Sequence, residues 1–548
     1  MMMTKTRKAI LLILFSILTV LVGMWLSQKD SLEAGKHIYR EGLLPSGQPL
    51  EAIVQGNLRL VGDQAACVNC HRRSGFGTSE GGLTARPVTG PALFSDVNAP
   101  HPKMYPSSAK STGIRPAYTD ETLARAIREG VDSAGRSLNA AMPQFTLDEG
   151  AMKSMIGYLK TLSAAPSPGV TTDTIHFATI VTERVAPEKR RAMLDVLETF
   201  ARDKNAGTRH ETQRAERAGW DMEREYKAYR SWQLHEWELT GRPETWRAQL
   251  EEYYRQQPVF ALLSGITAGT WRPIHDFCEH FEIPCLFPNV DAPPIEETDY
   301  YSFYFSKGVI LEAESLAHFL DNNPAETGAG PIVQIFRNDD VAGVAAEAFR
   351  KALKNQSARV VNISVNPDQP LTSEFWSTLV IPESTSALVL WLNEPDLNGL
   401  NAISGLGYPT PRIYLSSTLA TGLLFSVPQG LEERIRFLHS FELPGQLDRR
   451  LLRTSVWLKA RKIESSDQRI QGNTYFAVTQ TGNALMHLVD NFSRDYFVER
   501  IEHGVDNSVA TSVYSRLSLG PGQRFAAKSC SIVEPVAGQP GEWVTVGQ

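Results

Sequence analysis

The chain has 548 residues, of which 42% are hydrophobic and 21% are charged, and its formal net charge is −6. A chain of this length is too long to fold around a single hydrophobic core, so we expect two or three domains. The charge balance argues against a nucleic-acid partner, because neither net basicity nor a dominant block of lysine and arginine is present.

The N-terminus is a short basic segment followed by an apolar run over Ala9–Leu26. As a helix this run is about 27 Å long, just enough to span a bilayer. A cleaved signal peptide is the alternative, but its apolar region usually ends in small residues, whereas this run ends in Trp25 and Leu26. We therefore predict an uncleaved transmembrane helix within residues 1–30. It would anchor the chain in the bacterial inner membrane and leave the other domains in the periplasm.

Cys67, Cys70 and His71 form a Cys-x-x-Cys-His motif, which zinc sites, redox dithiols and haem attachment sites can all contain. A zinc site needs a second pair of ligands, and the other cysteines have no matching spacing. A redox dithiol sits in a βαβ context, whereas a glycine-rich stretch follows this motif. Haem fits best, because two thiolates on one turn reach both vinyl groups and the imidazole lies beneath the iron. The motif predicts one covalent haem c.

The iron then needs a second axial ligand. Met142 precedes Pro143 in an irregular segment between two predicted helices, and such a loop lets a thioether approach the iron edge-on. Met104, in a proline-rich loop, remains an alternative by spacing. We predict His71 and Met142 as the axial pair.

Residues from about Ser31 to Leu162 resemble the class I c-type cytochrome domain, and the resemblance implies an all-α fold. The first helix is similar to the opening helix of that family, which implies that Gly35 contacts the helix carrying Tyr158. The stretch from Thr119 to Gly130 resembles the helix before the methionine loop, with Thr119 or Asp120 as its cap.

The same resemblance implies a hydrogen bond from the ligand histidine to a proline carbonyl. Either Pro87 or Pro91 could supply that carbonyl, because the segment after His71 is longer and richer in glycine than in compact members of the family. The bond would fix the imidazole tautomer.

A Pro/Ser/Gly-rich linker separates this domain, residues 31–165, from the rest of the chain. We place the linker at 166–173 and a second folded region at 174–548. Short apolar strands alternate there with amphipathic helices in two series, which predicts two α/β lobes with parallel sheets. Predicted strands include Ile175–Val181, Ile332–Phe336, Val360–Ser364, Ala387–Leu392 and Ile413–Ser416.

This region resembles the type I periplasmic binding proteins, particularly the branched-chain amino-acid group. The resemblance rests on stretches such as Phe260–Thr267, Pro284–Val290 and Asn473–Leu488. It implies a ligand held between the lobes by groups on loops after the strands. By position these groups are Ser264, Thr267, Asn289, Asp291, Asn393, Glu394 and Ser417.

The sequence departs from that group at Val290-Asp291, where an Ala-Thr pair commonly helps to hold the ligand carboxylate. An added carboxylate would repel that group, and Ser416-Ser417 stands where an acidic residue meets the ligand amine. These departures argue against a branched-chain amino acid as the ligand. The ligand could be an alcohol or a cation, or this region could bind no small molecule.

Other chemistry is weakly indicated. His275 and His280 flank Cys278 at a spacing that does not share a helix face, so core or surface positions are favoured over a metal site. A disulfide between Cys278 and Cys285 is left open.

The motif and the two resemblances lead to one main functional hypothesis. The protein is predicted to be a membrane-anchored cytochrome that transfers single electrons to a redox partner, such as a periplasmic dehydrogenase or oxidase, while its second region docks a partner or senses a small-molecule ligand. The alternative is a periplasmic solute receptor of an ABC-type importer with an accessory haem domain. A catalytic oxidase or peroxidase is disfavoured, because it needs an open coordination position on the iron and Met142 would occupy that position.

Overall fold

The computed structural model describes residues 28–54, 57–95, 115–215, 230–296, 298–327, 330–354, 359–405, 410–420, 427, 430–506, 511–536 and 542–547. The chain divides into a smaller unit, within residues 1–167 and 490–496, and a larger unit, within 168–489 and 497–548. Across these described ranges, no helix has the length and apolar character to cross a membrane. The predicted anchor, Ala9–Leu26, and the alternative ligand Met104 lie outside the described residues, so the transmembrane prediction gains no support here.

The described residues of the smaller unit form five α-helices, one 3-10 helix (Gly62–Ala65) and five short strands. The helices are α1 (28–41), α2 (Val68–His71), α3 (Gly90–Phe94), α4 (Asp120–Glu129) and α5 (Glu149–Thr161). The strands are β1 (Glu51–Val54), β2 (Leu58–Val61), β3 (Ser79–Glu80), β4 (Leu83–Thr84) and β5 (Gln144–Thr146).

The expectation of an all-α fold for this unit is wrong. Strands β2, β1 and β5 form a three-stranded antiparallel sheet, and β3 pairs with β4. Leu50 and Ala52 are buried whereas Ile53 is half exposed. This alternation with a period of two buries one face of a strand and would not form one face of a helix.

Two local predictions for the smaller unit are confirmed. Helix α4 begins after Thr119, whose hydroxyl caps the helix, and ends at Gly130, which has a φ of +69°. In α1, a Cβ on Gly35 would lie 2.2 Å from the carbonyl oxygen of Ser154 and 2.7 Å from Cβ of Tyr158. Only a glycine lets α1 and α5 approach this closely.

The larger unit contains two separate sheets. The strands of the first are β6 (Thr174–Thr182), β7 (Ser231–Leu239), β8 (Ala261–Leu263), β9 (Cys285–Leu286) and β10 (Ser302–Phe303). Those of the second are β11 (Ile332–Arg337), β12 (Val360–Val365), β13 (Ala387–Trp391), β14 (Arg412–Ser416), β15 (Ile435–His439), β16 (Ser531–Pro535) and β17 (Trp543–Gly547).

Helices connect most of these strands. They are α6 (Pro187–Ala215), α7 (Trp246–Gln256), α8 (Arg272–His280), α9 (Val309–Asn322), α10 (Pro324–Thr327), α11 (Ala342–Ala352), α12 (Ser373–Ser377), α13 (Pro444–Ala460), α14 (Gln468–Leu488) and α15 (Arg494–Val505).

The prediction of two α/β lobes is confirmed. The first sheet has the order β10-β9-β8-β6-β7 and is parallel throughout. The second has the order β12-β11-β13-β14-β15-β16-β17, parallel up to β15 and antiparallel beyond it. Alternate residues of β13 enter two different cores, Leu388 and Leu390 one and Val389 and Trp391 the other. The second sheet is therefore buried on both faces, as parallel sheets require.

Candidate functional site

The carboxyl ends of the two sheets in the larger unit lie next to each other. The loop after β8 includes Gly269, and a Cβ on this residue would lie 3.3 Å from Oδ2 of Asp340, in the loop after β11. Ligands of open parallel α/β sheets bind in the crevice outside the carboxyl ends of the strands. The loops after these strands are therefore the first place to look for a site.

Ser264 and Asn289 take part in an internal polar network. Asn289 donates to Oγ of Ser264 over 3.0 Å, and that hydroxyl is 3.3 Å from Oγ1 of Thr474. Nδ2 of Asn473 donates to Oδ1 of Asn289 over 3.3 Å. Ser264 is buried and has a φ of +54°. These two predicted ligand residues thus bind helix α14, and their hydrogen-bonding capacity is largely used within the protein.

The other predicted loop residues are spread over separate places. The Thr267 hydroxyl donates to the carbonyl of Gly269, and buried Ser417 lies 3.0 Å from Nδ1 of His439. Asn393 caps the short helix Glu394–Leu397, with Asn393 and Glu394 both exposed.

A buried ion pair holds that short helix in place. The carboxylate of Asp396 accepts from Nε and Nη2 of Arg337 at 2.9 and 2.5 Å, and the side chains are 11% and 9% exposed. Because Asn393 caps the helix that contains Asp396, its structural role is to begin this fixed helix.

Asp291 has a partner that sequence reasoning missed. Nη2 of Arg469, in the first turn of α14, donates to its Oδ1 over 2.5 Å. The Arg469 guanidinium lies 5.0 Å from the ring centre of Phe441, just after β15, and Phe441 is 5.3 Å from the ring of Tyr514. The pair therefore lies between the carboxyl ends of β9 and β15, one strand from each lobe.

The charge of this pair is balanced locally. Partial burial lowers the pKa of the Arg469 guanidinium, but the carboxylate of Asp291 outweighs it, so the pKa is raised above its ordinary value. Arg469 is a fixed cation. It neutralises the carboxylate that the sequence alone placed in the cleft as a repulsive charge.

The pair keeps unused hydrogen-bonding capacity. Arg469 donates one close hydrogen bond, to Oδ1 of Asp291. Burial raises the pKa of the Tyr514 hydroxyl and nearby Arg469 opposes that shift. A guanidinium carries roughly five N–H donors, so part of this donor set remains open. The side chains of Arg469 and Asp291 are 29% and 40% exposed. A solute can thus reach free N–H donors and, next to them, a carboxylate oxygen.

A second carboxylate lies deeper in the same unit. Glu312, in α9, is fully buried and accepts hydrogen bonds from Oγ of Ser416 (2.5 Å) and from N and Oγ1 of Thr418 (3.1 and 2.8 Å). Burial raises the pKa of Glu312 to about 7, against the opposing effect of these hydrogen bonds. The signal available in the sequence was a glutamate inside the apolar face of a helix.

In the smaller unit, Cys67 directly precedes α2, and Cys70 and His71 are the last two residues of that helix. Burial raises the pKa of the Cys67 thiol to about 12. Nδ1 of His71 lies 2.9 Å from the carbonyl oxygen of Arg86. The predicted acceptor, a carbonyl of Pro87 or Pro91, is wrong, because the chain presents the carbonyl one residue before the first of these prolines.

Met142 packs against the same hydrophobic core as Cys67. Its backbone N–H donates to the carbonyl of Asn139 over 2.9 Å, which places it in a tight turn. The structure thus places the four predicted haem-binding residues in one unit, with Cys67 and Met142 packed against one core.

The remaining cysteines form no disulfide. Cys278, Cys285 and Cys530 are all buried, with no disulfide between the first two. A groove of about 900 Å³ beside α9 and α11 includes Asn338 and Asp340 in its lining, but not Asp291 or Arg469. The lining of that groove also includes charged side chains, such as Asp340 and Lys351. We take the ion pair as the candidate site because it lies beside the carboxyl ends of strands from both lobes.

No protein-family model matches the chain, and no curated protein matches it. Solved structures do. A fatty acid ABC transporter substrate-binding protein from Thermomonospora curvata is 13% identical, with 70% of this chain and 94% of that one covered and a TM-score of 0.49. A leucine-binding protein from Thermotoga maritima is 11% identical, with 68% and 97% covered and a TM-score of 0.48.

An ABC transporter substrate-binding protein from Desulfitobacterium hafniense in complex with Leu is also similar. It is 12% identical, 68% of this chain and 100% of that chain are covered, and the TM-score is 0.45.

These findings correct the main functional prediction. The prediction of a cytochrome whose activity is electron transfer to redox partners is wrong, since the structures found are substrate-binding proteins of transporters. The expected all-α cytochrome fold is also absent from the described residues of the smaller unit, which contain two antiparallel sheets.

Proposed function

We propose that the larger unit is a solute receptor that binds an amino acid between its two lobes, at Asp291 and Arg469. The observation that carries the proposal is this ion pair, which lies between the carboxyl ends of both sheets with free N–H donors and a free carboxylate oxygen side by side. Leucine, with which the similar protein from Desulfitobacterium hafniense is in complex, is the first solute to test.

The chemistry of the pair matches a zwitterion. The open edge of the Arg469 guanidinium would donate to the ligand carboxylate, as guanidinium groups do in planar charge-assisted pairs. The outer oxygen of Asp291 would accept from the ligand ammonium. The aromatic ring of Phe441 lies beside the pair and suits the apolar side chain of a ligand, whereas Tyr514, next to Phe441, is buried.

This proposal removes the sequence argument against an amino acid. That argument treated Asp291 as an uncompensated negative charge, whereas Arg469 neutralises it. Glu312 does not take over the role of meeting the ligand amine, because it is fully buried and bound by Ser416 and Thr418.

The proposed location and partner follow from the same function. A receptor of this kind would act in the periplasm, in keeping with the export signal predicted at the N-terminus, and would deliver its ligand to the permease of an ABC-type importer.

Calorimetric titration of the full chain tests the proposal with three matched probes. These are leucine, 4-methylpentanoate, which lacks the amine, and 3-methylbutylamine, which lacks the carboxylate. We expect leucine to bind at least about tenfold more tightly than either analogue, because each analogue leaves one member of the ion pair without its partner.

The control is Arg461→Gln, which removes an arginine of another Arg–Asp pair in the same unit, with Asp203. This variant should bind leucine as the wild type does. If none of the three probes binds, the amino-acid proposal fails.

Haem attachment by the smaller unit is a separate proposal, and it assigns no electron-transfer role to the chain. Cys67 and Cys70 would hold the haem covalently, and His71 and Met142 would bind its iron. The residues fit the group in one respect. The contact of His71 Nδ1 with the Arg86 carbonyl orients the ring and leaves Nε2 for a metal. When bound, haem would supply an iron centre.

Two measurements on the purified chain test this proposal. We expect about one iron per chain by elemental analysis, and peroxidase-type staining that survives denaturing electrophoresis. Cys67→Ser/Cys70→Ser should lose the stain, whereas a wild-type protein that loses all colour on acid–acetone extraction would contradict the covalent bonds.

A further inference from the structure

Three side chains of the first lobe converge at a place remote from the Asp291–Arg469 ion pair. His275 and Glu279 are four residues apart on α8 and so lie on the same helix face. Asp299 precedes β10. One ligand atom from each of these residues lies within 4.8 Å of the other two. Sequence reasoning compared His275 with His280 and missed this set, because Asp299 comes from another segment.

The carboxylate of Asp299 lacks the partners that its burial calls for. Its side chain is only 6% exposed, and its contact with Nε2 of His275, at 3.3 Å, is longer than a usual N–H···O hydrogen bond of about 2.9 Å. In the part of the chain that the structure describes, this carboxylate accepts no hydrogen bond. Within the described residues the nearest partner of this carboxylate is therefore His275, and a cation held between the two side chains would bind both.

The other two side chains are oriented as metal ligands usually are. Nδ1 of His275 lies 2.8 Å from the hydroxyl of Tyr304, and an N–H donated there leaves the Nε2 lone pair facing Asp299. The Glu279 carboxylate accepts from the backbone N–H groups of Tyr300, Tyr301 and Ser302 over 2.8 to 3.2 Å. Hydrogen bonds of both kinds are the common outer support of ligating histidines and carboxylates.

We propose that His275, Glu279 and Asp299 bind one zinc ion. Ligand atoms about 2.0–2.2 Å from a tetrahedral zinc are about 3.3–3.6 Å apart, which the Nε2–Oδ1 distance of 3.3 Å matches. One imidazole and two carboxylates form a nitrogen and oxygen set that zinc accepts. Because His275 is 2% exposed, the ion would be structural: it joins α8 to the segment entering β10 and takes no part in solute binding.

Zinc binding by the full chain tests this inference. The Cys67→Ser/Cys70→Ser background removes the thiols of the motif, which could bind zinc elsewhere. After treatment with a chelator, this protein should take up one equivalent of Zn²⁺ in equilibrium dialysis, and its melting temperature should rise on zinc addition. The Co²⁺ form should show visible d–d bands without a thiolate charge-transfer band.

The variants separate ligation from a plain ion pair. Asp299→Asn in the same background should weaken Zn²⁺ binding by at least about tenfold and abolish the zinc-dependent rise in melting temperature. Asp276→Asn is the matched control, since Asp276 is exposed on the same helix and faces Arg272; it should bind as the background does.

Two outcomes would overturn the inference. One is a background protein that takes up no zinc, a result that needs no further variant to fold. The other is an Asp299→Asn protein that binds zinc as the background does.

Discussion

The substitution Glu312→Gln should make the larger unit more stable at alkaline pH while leaving its acid stability nearly unchanged. Glutamine keeps the size of the side chain. Its amide oxygen can accept from Thr418 and its NH₂ group can donate to Ser416, so the three contacts of the carboxylate have counterparts. What the variant removes is a charge buried without a cationic partner in direct contact.

The magnitude follows from the pKa of Glu312, which burial raises from 4.5 to about 7. Between these values the folded protein binds more protons than the unfolded chain, so the free energy of unfolding falls as pH rises. At about 1.4 kcal/mol per pH unit, the loss reaches about 3 kcal/mol above pH 7. The contribution is fully present below pH 4.5 and lost as pH rises through 7.

Urea unfolding of wild type and variant, followed by tryptophan fluorescence from about pH 4.5 to about pH 8.5, measures the effect. The second lobe contains buried Trp376 and Trp391 as reporters. We expect the difference between the two proteins to grow by about 3 kcal/mol across this range in favour of the variant. A difference that is constant with pH would refute the reasoning, because it would mean that Glu312 does not titrate in this window.

Five further substitutions have defined outcomes. Arg469→Gln should weaken leucine binding by about 2 kcal/mol, roughly 30-fold; this is the low end of the range for truncating one partner of a charge pair, because the side chain is partly exposed. Asp291→Asn should weaken leucine binding yet strengthen 4-methylpentanoate binding. Calorimetric titration measures both effects. Gly35→Ala should destabilise the smaller unit by about 1–3 kcal/mol, whereas Gly157→Ala, whose nearest contact is 3.7 Å away, should be tolerated in calorimetric melting. Asp396→Ala should cost about 3–5 kcal/mol in urea unfolding, because it leaves its buried arginine partner unpaired.

Much of the fold was predictable because it depends on local patterns. Runs of apolar residues about four to six long became β11, β13 and β14 almost at the predicted bounds, since strands buried on both faces need such runs. Helix α4 was predictable at both ends, because a capping hydroxyl and a glycine act on the turn in which they lie. The approach of α1 and α5 at Gly35 followed from the resemblance to a known family.

The hairpin of β1 and β2 and the antiparallel strands β16 and β17 were missed. Short strands have weak patterns of their own, and their pairing depends on neighbours that other parts of the chain supply. The C-terminal strands join the second sheet beside β15, which lies far earlier in the chain, and no local signal indicates that register.

The sequence by itself determined the two α/β lobes, the Cys-x-x-Cys-His motif and the loops on which ligand-binding residues could lie, because hydrophobic periodicity and motif spacing act over a few residues. Only the tertiary structure decided which charges meet. Asp291 looked repulsive to a ligand until the fold placed Arg469, 178 residues away, against it. The fold likewise placed His275 next to Asp299. Electrostatic interactions depend on distance and burial in space, and neither can be read from separation along the chain.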